Sequence, residues 1–165
     1  MTILDQVYTQ MIAYYRSDPK RIQHFAKVHS FAALIGRLEG LDANTLFTLE
    51  AAAYVHDIGI KPAIETYGTS AGPYQEALGE APARELLRAC GVDDATVERV
   101  AYLVAHHHTY TDIDGLDYQI LVEADFLVNL YEGKKSPDAI REAYSSIFKT
   151  NAGREICRTM FGLNE

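Results

Sequence analysis

Leu49-Glu50-Ala51-Ala52-Ala53-Tyr54-Val55-His56-Asp57-Ile58-Gly59 is the stretch on which the fold turns. The run from Leu46 to Ile58 reads as a helix. Ala51, Ala52 and Ala53 are strong helix formers, and their size lets neighbouring helices come close. Leu49, Ala52 and Ala53 lie seven, four and three residues before His56 and share its face. That face is expected to point inward, with Gly59 closing the helix as a left-handed cap. An imidazole and a carboxylate then stand side by side at the inner end of a buried helix. Burying both without partners is costly. A metal ion would satisfy both. An inert hydrogen-bonded pair is the other reading, and the dipeptide alone does not decide between them.

Composition narrows the classes. The 165 residues are 48% apolar and carry a formal net charge of -8. One globular domain, residues 1–165, is the expectation. An acidic chain of pI 5.2 lacks the clustered Lys and Arg that a phosphate-backbone surface needs, so no long nucleic acid is expected as a partner. Cys90 and Cys157 have no metal-type spacing and read as free thiols of a reducing compartment. Asp5 and Gln6 interrupt the first apolar stretch, so it does not read as a signal peptide. No apolar run approaches the roughly 18 residues of a membrane span. A cytoplasmic protein with no membrane partner is the expectation.

Outward from the central stretch, the periodicity is helical throughout. Helices are expected over residues 3–16, 20–38, 43–58, 75–90, 94–107 and 118–131. Another starts at Ser136-Pro137-Asp138 and runs to about Lys149. A last short one covers Gly153 to Phe161. Asp42 or Asn44, and Asp93 or Asp94, are candidate caps. Residues 59–74 hold Gly59, Pro62, Gly68, Thr69, Ser70, Gly72 and Pro73, and read as a long loop. It is either a lid beside His56-Asp57 or a plain surface connection. No alternating strand pattern occurs, so the fold class is all-α. Tyr8, Tyr14, Tyr15, Tyr131 and Tyr144 offer a possible homodimer face, or are ordinary core and surface residues.

Further ligand candidates sit on the same inner side. His24 precedes Val28, Phe31 and Ile35 by four, seven and eleven residues, placing it on the buried stripe of its helix; His29 lies on a neighbouring face. Asp125 faces the core from the apolar run Ile120 to Leu130, where a carboxylate needs a partner. His106-His107-His108 ends the helix carrying Val97, Val100, Leu103 and Val104. Spacing turns His107 or His108 inward and leaves His106 outside. A helix C-terminus favouring a cation is the other account of the triplet.

His24, then His56-Asp57, then Asp125 resembles the H…HD…D signature of the HD-domain metal-dependent phosphohydrolases. Arg21-Ile22-Gln23-His24 with Val28 is similar to that family's first-ligand helix. Ala51 to Gly59 is similar to its approach to HD-Ile-Gly, and Asp125-Phe126-Leu127-Val128-Asn129 to its last segment. The resemblance covers residues 20–131. It implies a helical bundle of six to eight helices holding one or two divalent ions, with His24, His56, Asp57 and Asp125 as ligands and Asp57 able to bridge. Mn, Fe, Co, Ni, Zn and Mg all suit such a set.

Two departures from the family pattern matter. Ile60 intervenes before Lys61, where the best-known variant continues directly to lysine. Gln75 or Glu76 stands where dinuclear members place a further histidine. His107 and His108 resemble second-metal or phosphate-contact histidines of some members.

The activity implied is hydrolysis of a phosphate ester on a small molecule, a nucleotide first. Asp57 would orient water, and Lys61 or His107 would face the phosphoryl charge. Glu76 is a candidate base. A diiron oxygenase of the same fold and a non-catalytic metal- or nucleotide-binding module are the alternatives.

Overall fold

The computed structural model describes residues 1–164, in nine α-helices and no strands among them. They are α1 (Ile3–Tyr14), α2 (Pro19–Leu38), α3 (Ala43–Val55), α4 (Ile60–Tyr67) and α5 (Gly72–Ala89). The others are α6 (Asp94–His106), α7 (Leu116–Glu132), α8 (Pro137–Ser146) and α9 (Asn151–Phe161). No helix among the described residues is long and apolar enough to cross a membrane.

The starts follow the sequence. Asp18, Asp42, Asp93, Ser136 and Thr150 each accept a backbone N–H of the first turn they cap. Pro19 and Pro137 occupy first-turn positions that have no helical partner for an N–H.

Helix α3 is the hub, packed on α1, α2, α6 and α7. Leu49, Ala51, Ala52, Ala53 and Val55 are wholly buried. A helix apolar around its circumference has to be enclosed by others, and three successive alanines let them approach. Helix α7 is enclosed in the same way, with 11 of its 17 residues buried, Asp125 and Glu123 included. The two free cysteines are both buried.

Three expectations are corrected. Residues 59–74 are not a long loop. Helix α4 occupies Ile60–Tyr67, and only a four-residue connection precedes α5. With that extra helix the described residues hold nine. Pro62 sits in the first turn of α4, where it interrupts no hydrogen bond, and Ile60 and Ala63 bury the helix against the core. Helix α8 ends at Ser146, short of Lys149, before the turn that Thr150 caps.

Gly59 is the third correction. Its φ is -71°, right-handed, so it is no left-handed cap. Helix α3 stops at Val55, and residues 56–59 form a tighter turn, with Ile58 N–H donating to the Val55 carbonyl (2.9 Å) and Ile60 N–H to that of Asp57 (3.0 Å). The Tyr15 hydroxyl donates to the Asp57 carbonyl at 3.0 Å and accepts the Lys61 N–H at 3.3 Å. Glycine is required at 59 by what lies opposite. A Cβ there would stand 2.2 Å from the Gln75 carbonyl oxygen. Gly79 faces it, and a Cβ there would stand 2.6 Å from Val104 Cγ1 and 3.5 Å from the Gly59 nitrogen.

Gly59→Ala should therefore cost about 1–3 kcal/mol by overpacking. Gly68 is the control: a methyl added there would meet open space, which limits the cost to the strain of its φ of +71°. Urea titration checks the pair; a Gly59→Ala variant as stable as the parent contradicts the close approach.

Candidate metal centre

Four buried side chains from three segments converge. His24 comes from the second turn of α2, His56 and Asp57 from the α3–α4 turn, and Asp125 from the middle of α7. Their candidate ligand atoms all lie within 4.8 Å of one another. His24 Nε2 is 3.2 Å from Asp57 Oδ2 and 3.2 Å from Asp125 Oδ1. His56 Nε2 is 3.4 Å and 3.3 Å from the same two oxygens. The other oxygen of Asp57 turns the opposite way, 3.0 Å from His107 Nε2 and 3.7 Å from His108 Nε2. Asp57, His107 and His108 make a second group of possible ligands within 4.8 Å. One carboxylate thus divides its oxygens between two clusters.

The far sides of the rings fix their protons. His56 Nδ1 lies 2.8 Å from the Ala53 carbonyl, and His107 Nδ1 2.9 Å from that of Val104. His24 Nδ1 lies 2.6 Å from Glu132 Oε1. Each of these oxygens only accepts, so each Nδ1 carries a proton and a neutral ring keeps its lone pair on Nε2. Three lone pairs therefore aim at two carboxylates. His24 Nε2 and His56 Nε2 are only 3.3 Å apart. Asp125 Oδ1 is fully buried and finds no hydrogen-bond partner of proper geometry among the described residues. Such a group needs positive charge at its centre, supplied by protons or by a divalent cation, and the donor set of imidazole nitrogen and carboxylate oxygen suits the cation.

Protons take that place in the metal-free protein. Burial, the largest influence on His24, works against its charge; the Asp125 and Asp57 carboxylates outweigh it and hold the ring at about 9. Burial likewise opposes the charges of Asp57 and Asp125. For Asp57 the charge of His56 and hydrogen bonds from His107, His108 and His24 prevail; for Asp125 the close approach of the His24 and His56 rings does. Both carboxyls fall well below the usual range.

The remaining sequence candidates lie around this centre. His108 Nε2 is 3.0 Å from Gln75 Oε1, so Gln75 supports a histidine from the position where a ligand was sought. Glu76 accepts the His108 N–H at 3.0 Å and the Thr109 hydroxyl at 3.1 Å, which orders the segment after the triplet. Lys61 is not brought to the cluster: its Nζ donates to the Tyr14 carbonyl at 3.3 Å and lies 4.9 Å over the Tyr14 ring. His106 stacks on Tyr102 at 4.0 Å.

Sequence reading missed Arg21, whose Nη1 is 3.9 Å from Asp57 Oδ2 and whose buried Nε has no hydrogen-bond partner among the described residues. It also missed Glu132. Both line a cleft of about 220 Å³ that opens on His24, with Lys20, Asn129 and Gly133. Arg21 was legible as the residue one turn before His24 on the same face.

A family profile for the HD domain matches residues 21–143, three quarters of the chain. The chain belongs to the HD-domain family. The matched span runs from Arg21 to the middle of α8 and includes every residue of the two clusters. Among solved structures, a predicted HD superfamily hydrolase from an uncultured Thermotogales bacterium is 26% identical, with a TM-score of 0.65 over 97% of this chain and 83% of that one. Bacillus subtilis YpgQ superposes equally well, TM-score 0.65, at 18% identity over 97% of this chain and 88% of that one. No curated protein matches the chain in sequence.

The proton-filled centre predicts a pH signature. His24 titrates at 6.5 when unperturbed and at about 9 in the fold, so its contribution is complete below 6.5 and lost as pH rises through 9. Asp57 and Asp125 shift downward from 3.8, so theirs is present above 3.8 and lost as pH falls through the folded values. Chelator-treated protein should lose melting temperature between pH 6.5 and 9, and a saturating divalent cation, which replaces the protons, should remove that decline. Equal alkaline slopes with and without cation contradict the arrangement.

Proposed function

We infer that this chain is a metal-dependent phosphohydrolase acting on a phosphate ester of a small molecule, a nucleotide first among them. The observation that carries the reading is the convergence of three Nε2 lone pairs on Asp57 and Asp125, beside a guanidinium with an unused N–H. The Thermotogales neighbour, itself described as a predicted hydrolase, supports the reaction class. A small substrate is supported by the cleft of about 220 Å³, whose lining includes Lys20 and Arg21, along with Glu132, on a chain of net charge -8. Local cations on an acidic body attract a small anion while the rest of the surface repels a long one.

A divalent cation held by His24, His56, Asp57 and Asp125 supplies Lewis acidity toward a phosphoryl oxygen and acidifies water. The chain's own groups do the rest. Arg21, whose Nη1 stands 3.9 Å from Asp57 Oδ2, offers its guanidinium to a non-bridging phosphoryl oxygen, where charge grows in the transition state. Asp57 orients the attacking water through the oxygen it shares with His107. His107, its ring fixed by the Val104 carbonyl, takes the proton as the water oxygen bonds to phosphorus and the phosphorus–ester oxygen bond breaks, and the departing oxygen takes a proton from solvent water. Glu76, engaged with His108 and Thr109, holds that segment in place rather than acting as the base. A second ion between Asp57, His107 and His108 is supported by their grouping, and would shift proton acceptance away from His107.

The test is phosphate release from a panel of nucleotides and sugar phosphates by protein loaded with each divalent cation in turn. Turnover is expected for at least one substrate, abolished in Asp57→Ala. In Arg21→Ala, kcat/KM should drop by about 100-fold or more, the scale of losing one transition-state donor. Absence of phosphate release across the whole panel from metal-loaded protein would sink the reading.

A further inference from the structure

The three inward histidines are held in two different ways. His56 and His107 each use a carbonyl three residues back, on the turn where their own helix ends. Those carbonyls are left over at a helix terminus and are available locally. His24 is held differently. It lies inside α2 and not at a helix end, and it uses no carbonyl of its own helix. Its Nδ1 partner comes from another helix, 108 residues along the chain, as Glu132 Oε1 at 2.6 Å.

Glu132 sits there against local preference. It is the last residue of α7, at the end where the helix dipole disfavours a carboxylate, and no basic residue occupies that last turn. Its compensation is entirely on α2. Oε1 meets His24, and Oε2 accepts from Lys27 Nζ at 2.9 Å. His24 and Lys27 are three apart on one face of α2, and Asp125 and Glu132 are seven apart on one face of α7. The same helix pair therefore carries two of the four buried ligands and the contact that aims one of them. Glu132 lies on the far side of the ring from Nε2, so it is no ligand of the same ion.

We propose that Glu132, itself fixed by Lys27, is a positioning residue for the metal centre. It holds the His24 tautomer and makes Nε2 a stronger donor than a carbonyl partner would, as carboxylates behind metal-bound histidines do. The inference rests on the metal-binding half of the functional reading and is independent of phosphate hydrolysis.

The experiment is cobalt titration of chelator-treated full-length protein, read by competition with a chromogenic chelator and by the visible absorption of the bound ion. Glu132→Ala should weaken cobalt binding by about 10–100-fold and alter the spectrum. Glu132→Gln keeps an acceptor oxygen without the charge and should fall between Ala and the parent. Lys27→Met frees one carboxylate oxygen but leaves the His24 bond, and should show the smallest loss. Parental affinity and spectrum in both Glu132 variants would overturn the proposal. A parent that takes up no cobalt would overturn it together with the metal centre. A graded loss of binding in a protein that hydrolyses nothing would leave this inference standing and remove the hydrolase.

Discussion

Two carboxylates enclosed in a helical core, Asp57 and Asp125, set the terms for the rest of the structure. Buried carboxylates without compensation are too costly to keep in a domain whose net stability is only about 5–15 kcal/mol. The surrounding chain supplies imidazoles, and it fixes each ring from behind so that the acceptor nitrogen faces the carboxylates. Asp57 is the most constrained of the set, since its oxygens face two different pairs of histidines.

The packing around Asp57 follows from this. Its backbone has to leave α3 in a tight turn so that His56 and Asp57 both point inward. Tyr15 stitches the turn from α1, and Gly59 lets it lie against α5. Helix α5 in turn carries Gln75 and Glu76, which hold the His107-His108 segment from the other side. The three alanines of α3 let α2, α6 and α7 pack closely around it, and His24 of α2 and Asp125 of α7 meet His56 and Asp57 at one point.

Much of this was legible from local pattern. The all-α class, the helix start at Ser136-Pro137, and the inward faces of His24 and Asp125 follow from local spacing, while the caps narrowed to Asp42 or Asn44 and to Asp93 or Asp94 before the structure chose Asp42 and Asp93. What stayed hidden is what depends on partners distant in sequence. Gly59 reads as a helix stop because glycine usually frees φ, whereas here it answers to the Gln75 carbonyl across a gap. Helix α4 reads as loop because Gly and Pro dominate its ends, although a two-turn helix is stabilised by what it buries, not by propensity. Lys61 follows the HD dipeptide closely in sequence, yet the turn sends its ammonium to Tyr14. Glu132 carries no periodic anomaly and emerges only when α2 and α7 are laid side by side, whereas the spacing of Arg21 from His24 was there to be read.

The claim on which all of this depends is that the convergent nitrogens and carboxylates hold a divalent ion. It is tested most directly by equilibrium dialysis of chelator-treated protein against manganese, with Asp57→Ala prepared in parallel. The expected result is at least one tightly held equivalent per chain in the parent and loss of most of it in the variant. Metal-free parent protein after dialysis, or a variant that retains as much manganese as the parent, would contradict it and leave the cluster as a proton-bridged polar core.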